Sequence, residues 1–227
     1  MADVVAARGV ERALARKREK YEDEVARLTA AALAVMQARD TVDPRVADIL
    51  EHAGLSTAAL YRHFPTKDDL LLALIEGAGA NTRSYLAHRL EPIDDPRACI
   101  VGWIEAMFAL VGDDELVARN RPFLLAHPRL LERFPSEIGD MVDRLVVPLA
   151  EAIDAARRAA DLDPGDPAGE AVLVYHLVFG LLIDHAAQRR TADADQTAAV
   201  VEHCLRALLS PPLPTRRRGA RAGGRGR

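Results

Sequence analysis

Residues 46–64 read VADILEHAGLSTAALYRHF, and this stretch constrains the chain more than any other. Ile49, Ala53, Leu55, Leu60 and Phe64 recur at spacings that place them on the inner faces of two short helices. Gly54 can take the left-handed conformation that closes a helix, and Ser56 can cap the next one. The spacing predicts a helix, a tight turn and a second helix from Ser56 to His63, locked at a fixed angle. Ser56, Thr57, Ala58, Ala59, Tyr61 and Arg62 are then left to face outward, small and polar, which is a helix-turn-helix layout spanning 44–63.

The flanks agree with this layout. Upstream, Val25, Leu28, Ala32, Val35 and Met36 form one apolar stripe on a helix from about Glu19 to Arg39. Asp43-Pro44 then predicts an N-cap carboxylate and a first-position proline, opening the second helix at Pro44 and carrying it to about His52. Downstream, Thr66-Lys67-Asp68-Asp69 has the form of a capping box, which predicts a helix through Leu70, Leu71, Leu74 and Ile75 to about Leu90.

Only 4% of the 227 residues are aromatic and β-branched residues are sparse, whereas Ala, Leu, Arg and Glu abound, so the whole chain reads as all-α. After the acidic loop Glu91 to Asp95, helices are expected near Arg97–Val111, Glu115–Ala126, Pro135–Ala160, Pro167–Arg190 and Asp195–Leu209. The division is therefore 1–80, with a basic N-terminal arm at 1–20, a larger helical domain at 81–210, and a low-complexity Arg-rich tail at 211–227 that is expected to be disordered.

Charge narrows the functional classes. The net charge is -4, yet residues 81–210 carry 13 basic against 21 acidic side chains, while the tail carries six arginines and no acid. Any nucleic-acid role must rest on local placement, as in the cluster Arg8, Arg12, Arg16, Lys17, Arg18 and Lys20. Cys99 and Cys204 lack metal-binding spacing and suit a reducing cytoplasm. The N-terminus lacks the apolar run of a secretory signal, and the apolar stretch Ala171–Ile183 falls short of a bilayer, so a cytoplasmic protein without membrane contact is expected. No metal-ligand, phosphate-loop or nucleophile-elbow pattern is present, so neither catalysis nor a cofactor nor a metal is expected. A helical enzyme remains the second class of reading, and a ligand-independent architectural DNA binder the third.

The outer face of the second short helix suits DNA. Small residues in its first turn let the backbone approach base edges, Ala and Thr offering methyl contacts to thymine, while Tyr61, His63 and Lys67 can reach phosphates. From Leu28 to Leu74 the chain resembles the DNA-binding domain of the TetR family of bacterial transcriptional repressors: AALAVM matches the end of its first helix, VADILEHAGLS its second helix and turn, and TAALYRHFPTKDDLL its recognition helix and the start of its fourth. The resemblance implies DNA contacts at Ser56, Thr57, Ala58, Ala59, Tyr61, His63 and Lys67, with Arg45 and Ala47 as further candidates. Two positions depart from the family pattern, Asp40 standing for the usual glycine after the first helix and Pro44-Arg45 for the usual threonine pair. Sequence preference is therefore expected to lean on Arg45, Thr57, Arg62 and DNA shape.

The same resemblance implies a repressor that binds a near-palindromic double-stranded operator as a homodimer and is released by a small-molecule effector, as yet unidentified. The dimer would form through the last two helices. Pro167–Arg190 is apolar nearly all round and fits that role, with Val174, Val178, Leu181 and Leu182 joined by Val201, Leu205 and Leu208 of the last helix as the expected interface. Trp103, Met107, Phe108, Phe123, His127 and Tyr175 are the candidate lining of an effector pocket.

Overall fold

The computed structural model describes residues 2–210, and for residues 2–10, 12 and 13 the backbone alone. The expectations for the tail at 211–227 lie outside the described residues. The described chain is all-α: α1 (Ala2–Arg39), α2 (Val46–Ala53), α3 (Thr57–His63), α4 (Lys67–Leu90), α5 (Pro96–Phe108), a 3-10 turn (Ala109–Val111), α6 (Asp114–Arg133), α7 (Pro135–Ala159), α8 (Pro167–Gln188) and α9 (Ala194–Leu208). An N-terminal three-helix domain is joined through α4 to a larger helical domain.

Local signals set most of the boundaries. Thr66 and Asp69 form a complete capping box at the head of α4, and Asp95 caps α5 ahead of Pro96. Three boundaries differ from the sequence reading. The first helix begins at Ala2, so 1–20 is no separate arm: the Ala-, Arg- and Glu-rich stretch extends α1, with Arg16, Lys17, Arg18 and Lys20 exposed along it. Helix α2 begins two residues later than expected, with Arg45 at its N-cap position and no side-chain cap, because the Asp43 carboxylate is ion-paired with Lys67 and Pro44 is buried. Helix α6 runs on to Arg133 through Pro122 and Pro128, which would each ordinarily break a helix. There the burial of Leu124, Leu130 and Phe134 outweighs the backbone bonds the prolines remove.

Two cores share walls. Leu28, Ile49, Leu60 and Leu70 centre the first, and Leu130, Phe134 and Ile138 reach into it from α6 and α7. Trp103, Ile104, Leu149, Ile153, Val178 and Leu182 centre the second. Residue 80 thus falls inside a continuous helix, and α6 and α7 pack against both halves of the molecule. Helix α8 has 22 residues and a mean hydropathy of 1.4 over its most apolar window, so length does not separate it from a bilayer span. Its packing does, for Ala171, Val174, Tyr175, Val178, Leu182 and Ala186 are buried in the second core.

Candidate nucleic-acid interface and effector cavity

Gly54 lies at φ 62°, the left-handed conformation expected of it, and its backbone N–H closes α2 on Glu51 and Leu50. The Arg27 guanidinium donates to the Ala53 carbonyl at 2.7 Å and to that of Gly54 at 3.3 Å, tying the turn to α1. Ser56 Oγ then accepts from the Ala59 N–H at 3.2 Å, so its hydroxyl serves α3 as a cap. With Ile49 and Leu60 buried between them, α2 and α3 hold a fixed angle.

The outer face so presented is narrower than expected. Thr57, Ala58 and Tyr61 on α3 are exposed, as are Arg45 and Ala47 ahead of and on α2. Ala59 is not: at 6% exposure it packs inward, because it lies one helical turn before His63 and shares that residue's buried face. His63 is also withdrawn. Its side chain has no exposure, its Nε2 sits 2.7 Å from Glu24 Oε2, and the Tyr21 ring meets it edge-on at 4.3 Å. Arg62 Nη2 donates to the same Glu24 oxygen at 2.5 Å while part of the side chain stays exposed. These contacts from His63 first, and from Arg62 second, hold the Glu24 carboxyl below the usual carboxylate range. His63 and Glu24 therefore anchor the recognition helix to α1 from behind. Lys67, at the head of α4, is ion-paired with Asp43, whose carboxyl that ammonium keeps below its ordinary range.

A cavity of about 130 Å³ lies against α4. Ala78, Gly79 and Thr82 of α4 form one wall, Asn120, Phe123 and His127 of α6 a second, and Met141 of α7 with Tyr175 and Phe179 of α8 the rest. Of the six residues named from the sequence, Met107, Phe123, His127 and Tyr175 line this cavity. Trp103 and Phe108 do not: Trp103 is wholly buried with its indole N–H donated to the Leu145 carbonyl at 3.1 Å, and the Phe108 ring packs edge-on to His185. Sequence reasoning missed the α4 wall, whose signal is the run of small residues Gly77 to Ala80 in a long helix. A Cβ on Gly79 would lie 2.7 Å from the Met141 side chain, so the glycine is what lets α4 and α7 meet here.

On α8 and α9 the expected interface positions divide into two sets. Val174, Val178 and Leu182, with Leu208 of α9, are buried in the protomer's own core, while Leu181, Val201 and Leu205 are half-buried. The apolar side chains that α8 leaves in solvent are Leu173, 69% exposed, and Leu177, 42% exposed, on the face that also carries His176, Gly180 and Asp184.

Helices α2 and α3 form a helix-turn-helix, joined through α4 to a helical domain with a cavity. Residues 28–74 match the family model described as bacterial regulatory proteins, tetR family. Over 81 residues the chain is 40% identical to the HTH-type transcriptional regulator CymR of Pseudomonas putida, a match that takes in 34% of this chain and spans only 39% of CymR. In fold it is similar to a protein described as a TetR-family transcriptional regulator from Rhodococcus sp., with a TM-score of 0.68 and 22% identity over 83% of this chain and all of that one. It is similar too to the transcriptional regulator FadR from Bacillus subtilis in complex with stearoyl-CoA, with a TM-score of 0.63 and 16% identity over 82% of this chain and 98% of FadR. Residues 28–74 are thus similar to the tetR family in sequence, and the chain as a whole shares the fold of such regulators.

Proposed function

We propose that the protein is a sequence-specific DNA-binding regulator, a repressor that acts as a two-fold dimer and is released from its operator by a small molecule held in the cavity. The observation that carries this reading is helix α4, which bears Lys67 beside the DNA face at its head and walls the cavity with Ala78, Gly79 and Thr82 three to four turns further on. Thr57, Ala58 and Tyr61 meet the major groove, with Arg45 and Ala47 beside them, and Lys67 exchanges Asp43 for a phosphate. The exposed apolar face of α8 around Leu173 and Leu177 is the dimer seam, which sets two recognition helices one turn of DNA apart. A ligand that separates α4 from α7 tilts α4 and changes that spacing, and a fixed groove repeat penalises the change. Coupling of ~1–3 kcal/mol between the two sites would alter operator affinity by about 5–150-fold.

The fold also accommodates a small molecule in a relative, since FadR is seen with stearoyl-CoA. The experiment is selection of binding sites from random duplexes with the full-length chain, followed by quantitative titration of the selected site against a scrambled one. A regulator of this kind prefers the selected duplex by about 10³-fold or more. Equal affinity for both duplexes overturns the reading in favour of an architectural binder, and no binding to either removes the DNA role.

A further inference from the structure

The cavity itself restricts what can enter it. Its volume of about 130 Å³ is slightly below that of an apolar protein cavity of ~150 Å³ known to take benzene. None of the side chains that line it is Asp, Glu, Lys or Arg. A charged ligand would surrender its hydration without meeting a counter-charge.

Its walls are also flat and aromatic on one side. The Tyr175 and Phe179 rings stack with centroids 5.2 Å apart, and His127 stands edge-on to Phe179 at 4.6 Å. Met107 and Met141 add unbranched, polarizable chains to the lining that adapt to an aromatic edge. Of the other polar side chains in the lining, Thr82 Oγ1 donates to the Ala78 carbonyl at 3.0 Å and Asn120 Nδ2 to that of Leu110 at 2.7 Å. The Tyr175 hydroxyl is buried with no hydrogen-bond partner in the protein, and a buried hydroxyl gains from any partner offered to it.

Resting on the effector reading of this cavity, we propose that its ligand is an uncharged single-ring molecule of about six to ten non-hydrogen atoms carrying one oxygen, a ketone, aldehyde or phenol, directed at Tyr175 and His127. Burial keeps the His127 imidazole below its ordinary range, with the neighbouring His176 acting in the same sense, so at neutral pH the ring is uncharged and can either donate or accept one hydrogen bond. Acyl-CoA thioesters and long-chain acids are excluded on size and charge together, although the fold holds such a molecule in FadR. Gly79 is the gauge of the site, because any ligand that fills the space presses on the α4–α7 contact at Met141.

The test is calorimetric titration of the full-length protein, without DNA, with four probes: acetophenone, propylbenzene, benzoate and stearoyl-CoA. Acetophenone is expected to bind at least about tenfold more tightly than propylbenzene, since the two have equal numbers of non-hydrogen atoms and only acetophenone carries an oxygen. Benzoate and stearoyl-CoA should bind more weakly than either. In Tyr175→Phe, which removes a hydroxyl that bonds to nothing and so leaves folding intact, the acetophenone preference should disappear while propylbenzene binding is kept. Tighter binding of benzoate or stearoyl-CoA overturns the uncharged single-ring class, as does the failure of both neutral probes to bind. A preference for acetophenone that survives in Tyr175→Phe overturns the role of that hydroxyl. Operator titration in saturating acetophenone is read separately: binding without release leaves the ligand class standing and removes the effector role.

Discussion

Arg121, on the helix that walls the cavity, is ion-paired with Asp40 in the turn that ends α1. Arg189, just past the end of α8, reaches the same carboxylate oxygen at 2.9 Å, and Arg121 Nε also donates to the Ala186 carbonyl at 2.8 Å. At the other end of α6, Arg133 is paired with Asp68 in the first turn of α4. Helix α6 therefore grips the N-terminal half at two points, one on each side of Phe123 and His127, which face the cavity. Asp40 adopts φ 52°, where most residues are strained and Asp is tolerated, so the usual glycine is replaced here by a residue that can keep the turn and add a charge.

Arg121→Ala is accordingly expected to weaken communication more than binding. The difference in operator affinity between free and ligand-filled protein should shrink by about 0.5–2 kcal/mol, while affinity for each partner alone changes less. Operator titrations with and without a cavity-binding probe measure this directly. A coupling equal to that of the unmodified protein would show that α4 alone transmits the signal.

The anchor behind the recognition helix makes a prediction about pH. His63 and Arg62 stabilise the ionised form of Glu24, so its folded-state pKa lies below the unfolded value. That contribution to stability is complete above the unfolded carboxylate pKa of ~4.3 and is lost as pH falls through the folded value. Glu24→Gln should lower the melting temperature at pH 7, and the gap to the unmodified protein should close as the medium is taken below about pH 4. A gap that stays constant from pH 7 to pH 3 would mean that the carboxylate charge is not what holds α3.

These contacts also show where the sequence is legible. Gly54, Ser56 and the Thr66–Asp69 box act within three or four residues of themselves, and their roles can be read from spacing alone. His63 could not be placed in that way, because its partner Glu24 lies 39 residues upstream and only the packed helices bring them together. On α8 the difficulty is different. A helix that is apolar nearly all round has no face that its periodicity can single out, so Val178 and Leu177 look alike until one is found at 0% and the other at 42% exposure. The cavity lining was half legible for the same reason: aromatic residues are as easily core as wall, and Trp103 proves to be core while Tyr175 is wall.

The DNA face separates positioning contacts from reading contacts. On the proposal that Lys67 contacts a phosphate, Lys67→Ala should weaken binding to selected and scrambled duplexes about equally and reduce the salt slope by ~1. Thr57→Val or Arg45→Ala should instead change the preferred sequence, at about 1–3 kcal/mol for each altered base pair. Binding titrations at several salt concentrations distinguish the two behaviours. Should Lys67→Ala leave the salt slope unaltered, Asp43 keeps Lys67 occupied and the phosphate contact is wrongly assigned.

The last prediction concerns the proposed dimer seam, where the burial of Val178 and the exposure of Leu177 make Leu177 the position to substitute. Leu173 and Leu177 stand on the solvent face of α8, one turn apart, and a second copy packed there would bury both rows of leucines around a two-fold axis. Leu177→Arg places a charge in the middle of that seam and touches nothing in the protomer's own core. It should cost the dimer about 2 kcal/mol or more for each copy of the substitution and yield a folded monomer with native helix content. Val178→Arg is the opposite case, for its side chain has no exposure, and a charge forced into that core should unfold the protomer altogether. Operator affinity should fall in Leu177→Arg because one recognition helix alone loses the contacts of the second half-site. Light scattering with circular dichroism on both variants decides the matter. A Leu177→Arg protein that remains dimeric at micromolar concentration would place the seam elsewhere, with the half-buried Leu181, Val201 and Leu205 as the next surface to substitute.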